Sequence, residues 1–199
     1  MSILGLNKPL NEYTFTVVDT ETTGLSPYKG AELLEISAVR INSDFKLDLN
    51  NHFTTLIKPE KPIPSKTIEI NGIDDKMVEN APVVHEILPK FAEFAENTVF
   101  IAHNAKFDFT FINYYMKKHS IDCKLICILD TVNIAKKFFP NIGRYNLDAL
   151  IRYFNIDVKI ENSFRHRALF DAVNTSVVFL KAVEKMQFLG VELTLSNLL

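Results

Sequence analysis

The chain reads as an α/β protein, a mixed β-sheet flanked by α-helices. Three observations predict this class. Strand segments with short connections come first, and strands alternating with helical patterns follow. The length of 199 residues, with 47% hydrophobic and 23% charged side chains, suits one domain with room for a core.

The elements follow in order. Tyr13–Asp19 is rich in β-branched and aromatic residues and reads as a strand. Leu33–Ile41 reads as a second strand, Asn42-Ser43-Asp44 as a turn and Leu49–Ile57 as a third strand, which together suggest an antiparallel meander. Lys58–Pro64 carries three prolines and must be an irregular loop, with Asn71-Gly72 a further punctuation point. Val84, Ile87, Leu88, Phe91, Phe94 and Ala95 recur at helical spacing. Thr98–Ala102 is a short apolar run typical of a buried strand. Phe107–Lys118 is helical, and Leu125–Leu129 is the fifth strand. Helices are expected at Thr131–Phe138, Leu147–Phe154 and Ala168–Gln187. The reading is one domain over residues 1–199, its core at about 13–186, with Gly190–Leu199 a tail or a partner-docking segment.

Composition excludes several classes. No apolar run is long enough to span a bilayer, and Met1–Leu10 lacks the pattern of a secretory signal, so the expectation is a soluble cytoplasmic protein with no membrane role. Two cysteines, Cys123 and Cys127, are too few for a disulfide framework and read as small apolar fillers in a reducing compartment. Net charge is −2, without the basic excess of a broad nucleic-acid binder. An enzyme gripping only a strand end through metal ions needs little basic surface.

Three acidic clusters stand out. Asp19 and Glu21 lie two apart in a strand, so both carboxylates face the same way. Thr22-Thr23-Gly24 follows, small and suited to close approach by a ligand. The second cluster, His103-Asn-Ala-Lys-Phe-Asp108, lies where an apolar strand ends and a helix begins, a usual ligand position in α/β sheets. Blander readings make Asp108 a helix-start residue and His103 a structural histidine. The third, His166-Arg-Ala-Leu-Phe-Asp171, works if His166 lies on a loop and Asp171 one turn into a helix. Asp171 has largely apolar neighbours, and a carboxylate in that company needs a partner, for which a metal would serve.

Four carboxylates and a histidine are hard oxygen ligands plus one base, a set suited to Mg²⁺ or Mn²⁺. Two such ions about 4 Å apart can activate a water and neutralise the leaving oxygen in phosphodiester cleavage. A histidine titrating near neutrality can receive the proton.

Val17-Val-Asp-Thr-Glu-Thr-Thr-Gly-Leu25, His103-Asn-Ala-Lys-Phe-Asp108 and His166-Arg-Ala-Leu-Phe-Asp171 resemble the three exonuclease motifs of the DnaQ-like (DEDDh) family, in order and spacing. Ile70-Asn-Gly-Ile73, Asp130-Thr131 and Arg144-Tyr-Asn-Leu-Asp-Ala-Leu150 add lesser likenesses, and the resemblance runs from about residue 13 to about 186. It implies a ribonuclease-H-like fold and a two-metal 3′→5′ exonuclease releasing nucleoside monophosphates from a single-stranded DNA 3′ end, with proofreading beside a DNA polymerase subunit as one setting. Asp19, Glu21 and Asp171 would hold the first metal, Asp19 would bridge to the second, and Asp108 would act mostly through water. His166 would be the general base. Thr20, Thr22, Thr23, Gly24 and Leu25 would line the terminal nucleotide, joined as substrate contacts by Asn71, His103, Asn104 and Phe107. Two alternatives stay open at this stage: an exoribonuclease acting on an RNA 3′ end, and an inactive nucleic-acid-binding module.

Overall fold

The computed structural model describes residues 6–157 and 167–199. Five strands form its centre: β1 (Phe15–Thr22), β2 (Leu33–Ile41), β3 (Leu47–Leu56), β4 (Val99–Ala102) and β5 (Ile128–Asp130). They form one sheet in the order β3-β2-β1-β4-β5. β1 pairs antiparallel with β2, and β2 with β3, which is the expected meander. β4 joins the other edge of β1 in parallel, and β5 joins β4 in parallel. Parallel neighbours need long crossovers. Helices α3 (Val84–Ala95) and α4 (Lys106–Lys118) supply them.

The remaining helices are α1 (Ser65–Asn71), α2 (Asp75–Val78), α5 (Thr131–Phe138), α6 (Leu147–Tyr153), α7 (Ala168–Phe188) and α8 (Leu195–Leu198). The two faces of the sheet follow from the period of two along each strand. Phe15, Val17, Val39, Ile41, Val99 and Ile101 face α5 and α7, where they meet Ile134, Ala172, Val173 and Phe179. Val18, Ile36, Ala38, Phe100 and Ala102 face α3 and α4, meeting Ile87, Leu88, Phe91, Phe111 and Ile112. Burial of each large apolar side chain contributes about 1.5–3 kcal/mol, so both helical layers are held mainly by this packing. α5 starts where Asp130 accepts a hydrogen bond from the Val132 N–H, and α6 where Asn146 does the same for Ala149.

Three expectations needed correction. The fifth strand is Ile128–Asp130 rather than Leu125–Leu129. α1 and α2 follow the Lys58–Pro64 loop, in a stretch where the expectation covers only Asn71-Gly72, as punctuation; seven and four residues are too short to display an amphipathic period. Asn71-Gly72 is a helix end, with Gly72 at φ 72° closing α1. Residues 190–199 do not trail away as a tail. The Leu10 N–H donates to the Leu193 carbonyl, and Leu195 and Leu198 enter the core beneath β1 and α7.

Candidate active site

Alternation along β1 decides the geometry. Asp19 and Glu21 continue the face of Phe15 and Val17, toward α7, whose first turn presents Asp171. One oxygen from each of Asp19, Glu21 and Asp171 lies within 4.8 Å of the others. Among the described residues this is the only group of three acidic, histidine or cysteine side chains gathered so closely. The carboxylates are strained electrostatically. Burial, then the charges of Asp108, Asp171 and Glu21, push the Asp19 pKa well above its ordinary value. Burial pushes Glu21 up to about 8, against a hydrogen bond from the Asn71 side chain that favours the charged form.

Thr20 points the opposite way, toward α4, and there it meets Asp108. The Thr20 N–H and hydroxyl both donate to Asp108 Oδ1, at 2.9 and 2.7 Å. Asp108 is buried, and burial raises its pKa to about 7 despite the two donors. The fourth carboxylate therefore reaches the end of β1 from the other helical layer.

The side chains that fix this arrangement include one the motifs do not contain. Glu35 on β2 is the cross-strand partner of Glu21. Both of its oxygens accept hydrogen bonds from Arg167, each at 2.9 Å, and Oε2 also accepts the Ala168 N–H at 3.2 Å. This bidentate pair locks the start of α7 onto β2. Arg167 also sets a cation beside a cluster of like charges. A glutamate inside the otherwise apolar Leu-Leu-Glu-Ile run of β2 is the signal that could have revealed it, since a buried carboxylate demands a partner. Asp130 performs a similar service at the next strand end, accepting hydrogen bonds from the Asn104 and Ala105 N–H groups.

The predicted nucleotide contacts fall into two groups. Leu25 is 90% exposed beside a concavity lined by Thr23, Gly24 and Leu25. Gly24 permits a close turn: a Cβ there would stand 3.3 Å from the Ala31 Cβ. Other positions are already engaged by the protein. The Thr22 hydroxyl donates to the Gly24 carbonyl, the Thr23 hydroxyl accepts the Glu32 N–H, and the Thr20 hydroxyl serves Asp108. Asn71 is buried, bonding Glu21 and the Ile73 N–H. His103 Nδ1 lies 2.9 Å from the Thr131 hydroxyl, and the ring lies against the Tyr145 main chain. Asn104 is exposed, with φ 63°, and Phe107 is half-buried against Phe111. His166 lies outside the described residues.

The donor set fits divalent cations. Carboxylate oxygens are hard ligands, and three of them crowded at 4.8 Å carry a surplus of negative charge that such ions would balance. The mixed five-stranded sheet flanked by helices matches the ribonuclease-H-like fold of solved exonucleases. A family model described as Exonuclease matches residues 16–179, and the chain belongs to this exonuclease family. It is 38% identical over 190 residues to a PolC-type DNA polymerase III of Caldanaerobacter subterraneus, covering 96% of this chain. The chain spans only 13% of that relative's length. It is 31% identical to the DNA polymerase III subunit epsilon of Aquifex aeolicus, covering 93% of this chain and 88% of that one. Exonuclease X, solved in complex with 5′ overhanging duplex DNA, superposes with a TM-score of 0.70 at 24% identity, over 90% of this chain and 97% of that one. No helix among the described residues is long and apolar enough to cross a membrane.

Proposed function

We propose that this protein is a 3′→5′ exonuclease that releases nucleoside monophosphates from a DNA 3′ end, in the cytoplasm and in association with a DNA polymerase. The observation that carries the reading is the convergence of Asp19, Glu21 and Asp171 at the end of the central strand, with Asp108 reaching the same end from α4. Kinship with DNA polymerase III proteins favours DNA over RNA.

Two Mg²⁺ or Mn²⁺ ions at the carboxylates would supply an acidified water and neutralise charge on the cleaved phosphate. Asp19, Glu21 and Asp171 would hold the ions, with Asp108 reaching the same strand end from α4. Thr20 keeps Asp108 oriented, and Asn71 does so for Glu21. The Thr22–Leu25 turn, with Phe107, receives the terminal nucleotide. His166 accepts the proton lost by the attacking water.

Parallel digestion of labelled single-stranded DNA and RNA in Mn²⁺ tests the proposal. DNA should shorten stepwise from its 3′ end, and Asp19→Ala should abolish this. Faster loss of RNA would transfer the reading to an exoribonuclease. Full activity in Asp19→Ala would remove the site.

A further inference from the structure

Four arginines lie among the described residues, and two are used up internally. Arg40 bonds the Thr16 hydroxyl and the Phe94 carbonyl, and Arg167 is paired to Glu35. The other two, Arg144 and Arg152, are exposed and lie in no ion pair, although Asp148 shares α6 with Arg152. They line one open concavity of about 430 Å³, together with Ile142, Gly143, Ala149 and Tyr153. Tyr153 is already engaged: its hydroxyl accepts a hydrogen bond from Lys185 Nζ at 2.6 Å, and that ammonium stands 4.3 Å from its ring centre.

The surrounding sequence is segregated by charge. Residues 136–153 hold Lys136, Lys137, Arg144 and Arg152 against Asp148 alone, in a chain whose net charge is −2. Lys136 lies 5.9 Å from the Tyr145 ring centre. The loop carrying Arg144 is also tied to the candidate active site. His103, just past the end of β4, lies against the Tyr145 main chain. Two guanidinium groups, paired with no carboxylate among the described residues, thus share one concavity, and the loop that carries one of them passes the His103 ring.

We propose that Arg144 and Arg152 form a binding site for the phosphodiester backbone of the single strand upstream of its 3′ end. The inference rests on the exonuclease reading and extends it from the terminal nucleotides to the strand behind them. Guanidinium forks match phosphate oxygens in pairs. Such a site would let a net acidic protein hold a polyanion through a local excess of cations, while the carboxylates address only the cleaved phosphate.

Fluorescence anisotropy in EDTA, across a tenfold range of KCl, tests the assignment with fluorescent oligothymidylates three and twelve nucleotides long. The parent should bind the longer strand more tightly, with a steep salt dependence. In Arg144→Ala/Arg152→Ala the slope of log affinity against log salt should fall by about 1–1.5, at roughly 0.7 per neutralised phosphate. The affinity gained with length should shrink by about tenfold. Arg144→Lys/Arg152→Lys should keep most of the slope. An unchanged slope in the alanine pair, or an equal loss in the lysine pair, overturns the assignment. Both side chains are exposed, and matched melting curves show that the variants fold. Mn²⁺-dependent digestion by the parent tests the exonuclease reading separately, because the salt slope needs no catalysis.

Discussion

At the scale of single residues, the carboxylates answer to pH in a defined direction. Asp19, Glu21 and Asp108 have folded-state pKa values above the ordinary carboxylate range, so the folded protein holds protons that the unfolded chain has released. Stability from this source is fully present below the unfolded values of about 4, and is lost as pH rises through about 7 for Asp108 and about 8 for Glu21. Without divalent ions, the melting temperature should therefore fall from about pH 5 to about pH 8. Added Mn²⁺ should restore it most at the alkaline end, and a metal-free melting temperature that climbs over this window would contradict the raised carboxylate values. On the exonuclease reading, His166→Ala should lower turnover by about 10²–10⁴ while sparing nucleotide binding. Single-turnover digestion beside a product-binding titration separates the two effects. Asp19 and Glu21 were legible as a pair because strand alternation is a rule of period two. The different surroundings of Asp108 follow from the same rule, through Thr20, but only once a helix is known to cover each face.

At the scale of elements, the start of α7 is the most consequential junction. It presents Asp171, and it is secured by one buried carboxylate, Glu35, on a strand far away in sequence. Arg167→Met would leave that carboxylate without its cation. The expected loss is about 3 kcal/mol of folding stability, which urea denaturation would measure. An Arg167→Met protein as stable as the parent would show that Glu35 finds another partner. The sequence reading placed α7 within a residue of its observed span, because its apolar residues keep the helical period for several turns. It also found α5 at Thr131–Phe138, marked at its start by Asp130. It missed the Glu35–Arg167 lock, since pairing between distant residues leaves no local pattern. Short α1 went unseen for the opposite reason: too few residues to show a period.

At the scale of the whole molecule, the C-terminal residues belong to the body. Leu195 is fully buried, and α8 closes the core beside Leu10. Leu195→Ala should cost about 2–5 kcal/mol, read as a lower midpoint in denaturant with an unchanged slope. A shift near zero would mean that this segment is dispensable. The sequence offered no warning, because four helical residues after a glycine look like any chain end. The meander of β1, β2 and β3 is built from neighbours in the chain, whereas Asp171 comes from the last long helix. A nascent polypeptide leaving the ribosome can thus form its first three strands, with Asp19 and Glu21 in place, well before the third member of the trio has been translated. Until then the three carboxylates cannot gather, and the growing chain lacks its acidic cluster.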